Sequence, residues 1–482
     1  MITDEILNKY DMTVGIECHV QLATATKLFS GADNDARDKS PNSVVSPIDF
    51  GLPGMLPILN REAVNLAIKA GKALNAPIAN VSRFDRKHYF YPDLPKGYQT
   101  TQMYNPIIEA GYIDAPLEDG TSVRVRIHHA HMEEDAGKLT HYSDYSLVDL
   151  NRAGTPLIEI VSEPDIHSAA GAKAYATELH HLMTYAGVTR GDLYHGNMRF
   201  DVNVSVAPKG ATELGKRAEV KNLNSFRSVE KATEYEFRRQ VALLEKGESV
   251  VQETRGWDDT KQTTSSQRSK EDAQDYRYMP DADIPPIILS DQEISEIQAT
   301  VPMLPPAYRE KWVSLDLDRS VTDSLIANQS YAVLITEIQD NAGDGIAKRV
   351  AHWFASALGG QDEETAVIAS NFVPEGFIEL AQMVEANELS STAAKEVFVE
   401  LLSSDKTPRE IAEAKNLLQV SDEGAIAAIV DEVLADPSSA KAVEDLKNGN
   451  DKVIGFLVGQ VMKKSQGKAN PALAQKLIRE RI

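Results

Sequence analysis

From Thr13 to Leu22 the chain alternates apolar and polar residues. Val14, Ile16, Cys18, Val20 and Leu22 fall on one side, and Gly15, Glu17, His19 and Gln21 on the other. Period two over this length predicts a half-buried strand. Met198 to Val206 repeats the pattern, with Met198, Phe200, Val202, Val204 and Val206 against Arg199, Asp201, Asn203 and Ser205. Ala218 and Val220 alternate with Glu219 and Lys221. Val123, Val125 and Ile127 alternate with Arg124 and Arg126, and this strand feeds into His131-Met132-Glu133-Glu134-Asp135. Glu159 interrupts an apolar run, Leu157-Ile158-Glu159-Ile160-Val161.

Between these strands the pattern changes. Residues 30–60 are loop-rich. Glu62 to Leu74 has helical spacing (Ala63, Leu66, Ala67, Ala70), and the chain reads as helical again from Pro164 to Leu182. Asn224 to Glu245 predicts a long helix, followed by a strand-like Val250-Val251-Gln252-Glu253-Thr254-Arg255. Residues 258–275 read as polar and flexible, and the Pro285-Pro286 region closes the first domain.

After about Ser290 everything reads as helices. Thr392 to Leu402 is amphipathic. Thr407-Pro408-Arg409-Glu410 is a capping box with Pro at the first helical position. Ser421 and Asn470 are expected to cap later helices. Gly455 and Gly459, four apart, are expected to let two helices approach closely. The fold expected is α+β: an N-terminal domain around an antiparallel sheet (1–292), an all-α connector (293–405) and a small all-α tail (406–482).

The polar faces of these strands carry the chemistry. Glu17, His19, Asp201, Asn203 and Glu219 share the wet side of an antiparallel sheet. So many acids repel one another unless cations sit among them, since an ionised carboxylate is costly to bury unpaired. Oxygen-rich ligation with one imidazole suits Mg²⁺, Mn²⁺ or Ca²⁺ better than structural zinc. Arg199 and Lys221 are placed to serve phosphate oxygens beside the metal. Between residues 83 and 99, Arg83, Arg86, Lys87 and Lys96 interleave with Tyr89, Phe90, Tyr91 and Tyr98, a mixture that suits a nucleotide or an RNA end.

Other classes are disfavoured. Gly137-Lys138 lacks the earlier glycine of a phosphate loop, because Met132 holds that place. No G-x-G-x-x-G follows a strand, G-x-S-x-G is absent, and Cys18 lies on the apolar face. As the only cysteine, Cys18 allows neither an intrachain disulfide nor a cysteine zinc site. No apolar run approaches about 18 residues, so no membrane span is expected. The acidic start lacks an apolar signal segment, and a cytoplasmic location is expected. The net charge of -22 is wrong for a free-standing nucleic-acid binder, yet Lys447 to Ile482 holds eight Lys/Arg and two acids. A basic tail on an acidic body points to a local polyanion contact.

Seven segments then carry a resemblance over essentially the whole chain. They are V-G-I-E-C-H-V-Q-L, F-D-R-K-H-Y-F-Y-P-D-L-P-K-G-Y-Q, H-M-E-E-D-A-G-K, S-L-V-D-L-N-R-A-G-T-P-L-I-E-I-V-S-E-P-D, A-E-V-K-N-L-N-S, D-Y-R-Y-M-P-D-A-D-I-P-P and G-F-L-V-G-Q-V-M-K-K-S-Q-G-K-A-N-P. In this order they resemble the GatB family, the B subunits of aspartyl/glutamyl-tRNA amidotransferases. The resemblance implies a cradle-like catalytic domain, a helical domain and a tail that contacts tRNA, in a heterotrimer with the glutaminase (GatA-type) subunit and the small (GatC-type) subunit. It implies an ATP-dependent carbon–nitrogen ligase with glutamine as amide donor, acting on Glu-tRNA(Gln), Asp-tRNA(Asn) or both, with Mg²⁺ and ATP.

By the same resemblance Glu17, His19, Glu134, Glu159, Asp201 and Glu219 occupy metal-site positions, with Glu134, Asp201 and Glu219 also catalytic. Glu133 and Asp135 adjoin them. Arg86, Lys87, Lys138 and Arg199 are expected phosphate contacts, and Lys463, Lys464 and Lys468 expected tRNA contacts. One departure stands out. Many members carry a four-cysteine zinc knuckle, and here its positions hold Ser30, Ala32, Ser46 and Asp49, so no structural zinc is expected. Two rival functions are a tRNA-binding scaffold without chemistry and a stand-alone metal-dependent phosphatase or nuclease. The acid-rich sheet face argues against the scaffold, since RNA contact alone would favour a basic face.

Overall fold

The computed structural model describes residues 2–269, 275–358, 373–419, 423–465 and 469–482. They form two compact units, divided between Pro305 and Pro306. The first is built on an eight-stranded sheet. Its spatial order is Thr263–Ser269, Glu253–Asp258, Arg217–Leu223, Met198–Pro208, Tyr10–Gln21, Pro156–Ser162, Ser122–Glu134, Gly111–Pro116. The expected α+β class is therefore what the chain adopts.

The alternating stretches became the central strands because their apolar sides share one covered face. Val14, Ile16, Cys18 and Val20, with Ile158, Ile160, Phe200, Val202 and Val204, are all essentially inaccessible. Helices Ala169–Tyr185 and Phe226–Glu245 contribute to the core they line, through Tyr175, Leu179, Met183, Val229 and Ala232. Burying one such aliphatic side chain contributes about 1.5–3 kcal/mol. A slip of one residue would expose that whole set and bury the acids instead, so the register is firmly specified. Ser168 and Ser225 cap the two helices through bonds from Gly171 N–H and Ser228 N–H.

The expected antiparallel sheet is present, with one parallel pair in it: Arg217–Leu223 and Glu253–Asp258. Parallel neighbours need a long crossover, and helix Phe226–Glu245 supplies it. Within the stretch read as polar and flexible, residues 263–269 form the edge strand, paired antiparallel with Glu253–Asp258. Helix Asp291–Gln298 is part of the first unit, with Ile294 and Ile297 packed on its core.

The second unit is built of helices. Helices Gln329–Ala342, Asp344–Leu358, Pro374–Glu385, Ser391–Leu401 and Pro408–Ala414 precede the tail helices Glu423–Ala435, Ala440–Lys447, Ile454–Lys464 and Pro471–Arg481. The capping box at Thr407 and Glu410 forms, and Asn470 accepts from Ala472 and Leu473 N–H. Ser421 lies outside the described residues. The tail helices share a core of Ile426, Val430, Leu457, Val461, Leu477 and Ile478. Gly455 and Gly459 are not on it. Both are exposed, and among the described residues nothing lies within 4 Å of a Cβ built on either, so they mediate no close helix approach there.

Candidate metal centre

Antiparallel pairing decides which polar residues meet. Tyr10–Gln21 lies between Met198–Pro208 and Pro156–Ser162. Glu17 is level with Asp201, and His19 with Glu159 on one side and Arg199 on the other. His131 is level with Glu159, and Asn203 with Glu219. Two clusters result on one face, and each has one ligand atom per residue within 4.8 Å of the others: His19, Glu133 and Glu159, and Glu17, Asp201 and Glu219. Glu17 links them, because burial, then Glu159 and Glu219, raise its pKa above the ordinary carboxylate value.

In the first cluster His19 Nε2 stands 3.7 Å from Glu133 Oε1 and 3.7 Å from Glu159 Oε2. His131 Nε2 stands 3.3 Å from Glu159 and 3.6 Å from Glu133. Burial works against an imidazolium at His131, but bonds to Glu133 and Glu159 overcome it and bring its pKa up to about 10. Burial also pushes Glu159 up. Its bond from His131, then the charges of His131, His19 and Lys87, outweigh that and hold it well below the carboxylate range. His129 sits against His131, ring nitrogens 3.1 Å apart, and burial followed by its histidine neighbours lowers it to about 4.

The second cluster contains a cation of its own. Lys221 Nζ lies 2.7 Å from Asp201 Oδ2 and 2.8 Å from Glu219 Oε1. Asp201 Oδ1 accepts from Asn222 N–H, Glu219 Oε2 from Thr254 Oγ1, and Glu17 Oε1 from Asn203 Nδ2. Asn222 has φ +59°, beside an irregularity in the pairing of its strand with Met198–Pro208. Such a bulge re-aims a backbone group, and here the N–H reaches the carboxylate.

The structure thus brings together Glu17, His19, Glu159, Asp201 and Glu219. It does not bring in Glu134. That carboxylate accepts from Thr100 N–H and pairs with Lys96, against the Tyr98–Thr101 strand. Glu133 takes its place, and His131 joins it. Both were legible as neighbours of the motif, but their face was not.

The expected phosphate contacts divide. Lys87 feels Glu133 and Glu159, which together with Tyr278 and Tyr276 outweigh burial and raise its pKa, and its ammonium lies 4.9 Å from the Tyr276 ring centre. Arg199 borders the first cluster and donates to Asp135 Oδ2 at 3.0 Å. Arg86 is already engaged, by Asp281 at 2.9 Å and Asp283 at 2.7 Å. Lys138 is exposed at the start of a separate hairpin, Lys138–His141 with Ser146–Asp149. Of the tail lysines, Lys464 pairs with Glu432, Lys463 lies in the last turn of the same helix, Ile454–Lys464, and Lys468 lies outside the described residues.

The knuckle positions converge on a buried ion pair. Lys27, wholly inaccessible, reaches Asp49 Oδ2 at 3.3 Å, and Ser30 Oγ and Ser46 N–H donate to the same oxygen. Ala32 C=O accepts from Lys27 N–H. Gly154, at φ +81°, leaves the space this requires, since a Cβ there would come within 2.6 Å of Asp49 Oδ1.

Residues 12–295 match the family model described as the GatB/GatE catalytic domain, and residues 334–482 the model described as the GatB domain. A protein of Persephonella marina is 45% identical over 475 residues, covering 98% of this chain and 99% of its own length. Its name makes it the B subunit of aspartyl/glutamyl-tRNA(Asn/Gln) amidotransferase. Proteins of the same name from Alkalilimnicola ehrlichii and Halorhodospira halophila are 47% and 46% identical, each over 98% of this chain and 99% of their own.

Proposed function

Because this chain belongs to the GatB family of tRNA amidotransferase B subunits, we propose that its sheet face activates a carboxylate by phosphoryl transfer. The reaction joins ammonia to the side-chain carboxylate of Glu on tRNA(Gln), or of Asp on tRNA(Asn). A carboxylate resists ammonia because its leaving group would be oxide. Transfer of the γ-phosphoryl group of ATP gives an acyl phosphate and ADP. Ammonia then attacks the carbonyl carbon, phosphate leaves with the bonding electrons, and loss of a proton from nitrogen leaves the amide. A glutaminase (GatA-type) partner, held with a small GatC-type one, supplies the ammonia, and the site of action is the cytoplasm.

The observation that carries the reading is the pair of three-ligand clusters on one face. The donors fit a hard divalent cation: carboxylates throughout, with a single imidazole from His19. His19, Glu133 and Glu159 would hold one Mg²⁺, and Glu17, Asp201 and Glu219 a second. Bound there, Mg²⁺ would neutralise the charge on the phosphoryl oxygens.

The chain's own residues do the rest. His131 pins Glu133 and Glu159 so that both present oxygens to one point. Asn222 N–H, Thr254 and Asn203 do the same for Asp201, Glu219 and Glu17. Lys87 and Arg199 border the first cluster, and are the cations assigned to phosphate oxygens. Lys463 and Lys464, in the last turn of Ile454–Lys464, are assigned to the tRNA backbone.

The test is glutamine- and ATP-dependent conversion of Glu-tRNA(Gln) and Asp-tRNA(Asn) by the chain reconstituted with its glutaminase and small partner proteins. Glu17→Gln and Asp201→Asn should abolish amide formation while glutamine hydrolysis survives. Full amide formation by both variants would make the chain a scaffold. Turnover by the isolated chain without tRNA would make it a hydrolase.

A further inference from the structure

The two clusters have different occupants. Among the described residues the side chains in ion-pair contact with Glu133 and Glu159 are the imidazoles of His19 and His131, with Lys87 acting on both carboxylates from further off, and an imidazole that gives up its proton is itself a metal ligand. The cation inside the other cluster is an ammonium, with three donors and no lone pair to offer a metal. Lys221 therefore competes with any metal for Asp201 Oδ2 and Glu219 Oε1, the oxygens it holds at 2.7 and 2.8 Å.

The geometry is that of an occupied position rather than a chance surface pair. Lys221 follows Glu219 by two residues on one strand, so both side chains leave the same face. The second oxygen of each carboxylate is held elsewhere, Asp201 by Asn222 N–H and Glu219 by Thr254. The carboxylates thus keep their aim whether or not the ammonium is present. The Lys221 side chain is 36% exposed. Its flexible stem leaves it free to swing out to solvent.

From this, and resting on the metal-centre reading above, we infer that Lys221 is a built-in counter-ion that makes the Glu17–Asp201–Glu219 cluster fill second. A divalent cation enters the His19–Glu133–Glu159 cluster without expelling any cationic side chain that cannot itself coordinate. It enters the other only by displacing Lys221. Without nucleotide the two clusters then differ in affinity, and the released ammonium becomes a free cation beside the second metal position. Lys221 acts through its neighbours and is a positioning residue.

The experiment is Mn²⁺ binding to the full-length chain without nucleotide, with free Mn²⁺ read by electron paramagnetic resonance. The wild type should show one strong and one weak class of site. Lys221→Met should tighten the weak class by tenfold or more, and Lys221→Arg should leave it weak. Lys221→Gln, which keeps a polar group in the cluster, should tighten it in the same direction if the methionine variant does not fold. A weak class that is unchanged or weaker in the neutral variants overturns the inference. Asp201→Asn separates the two readings. If it removes the weak class while Lys221 variants change nothing, only the role of Lys221 fails. If neither Asp201→Asn nor Glu159→Gln alters the isotherm, the metal centre itself fails, and this inference with it.

Discussion

Glu133 and Glu134 are adjacent in the chain and serve opposite sides of the sheet. Glu133 faces His19 and His131, whereas Glu134 is paired with Lys96 and accepts from Thr100 N–H. The cause lies upstream. Val125 and Ile127 are buried at odd positions, Ala130 and Met132 at even ones, and the pairing with Pro156–Ser162 shifts between Ile127 and His129. One bulge has reversed the alternation. Glu133→Gln should therefore weaken Mn²⁺ binding by at least the roughly 10–100-fold that loss of a supporting partner alone costs. Glu134→Gln should leave Mn²⁺ binding intact and cost about 1–3 kcal/mol of stability, because Lys96 is left without its charge partner. Calorimetric Mn²⁺ titration and denaturant unfolding of both variants check this. Loss of Mn²⁺ binding in Glu134→Gln alone would contradict it.

The Lys27–Asp49 pair is buried under the loop that carries Ser30 and Ser46. Burial lowers the Lys27 pKa and Asp49 opposes it. Breaking a buried pair from one side strands a charge, at about 3–5 kcal/mol. Lys27→Met should show that loss in denaturant unfolding. Lys27→Met with Asp49→Leu should recover part of it, because no buried charge is left alone. A single variant as stable as wild type would show that the pair does not hold this loop.

His131 gives the metal-free chain a defined pH response. Its folded pKa of about 10 lies above the ordinary value of about 6.5. Between those values the folded state binds more protons than the unfolded one, so stability falls as pH rises. The contribution is full below about pH 6.5 and lost as pH passes through about 10. In chelator, the stability gap between wild type and His131→Gln should be largest near pH 6 and shrink toward pH 10. A gap independent of pH would show that His131 is not held as an imidazolium.

Alternation made most of the sheet legible, because covered strands must separate apolar from polar residues. The expected Thr13–Leu22 strand is Tyr10–Gln21, and Met198–Val206 extends to Pro208. Thr263–Ser269 was illegible because an edge strand held by backbone pairing needs no apolar side, and T-T-S-S-Q-R-S offers none. The bulge before His129 was illegible because nothing local in the sequence marks it. Ion pairing also escapes a linear reading. Asp281 and Asp283, which engage Arg86, lie far along the chain and return beside it only when Met279–Pro280 pairs with Asp85–Arg86.

The central claim is that this face activates a carboxylate with ATP, and hydroxylamine trapping tests it most directly. The reconstituted complex is given ATP and Glu-tRNA(Gln) with glutamine withheld. Hydroxylamine converts an acyl phosphate into a stable hydroxamate on the tRNA. Wild type should accumulate the hydroxamate with matching ADP, while His19→Ala and Glu159→Gln should lose it and still hydrolyse glutamine when it is supplied. Hydroxamate formation at the wild-type rate in both variants would place the activation chemistry elsewhere.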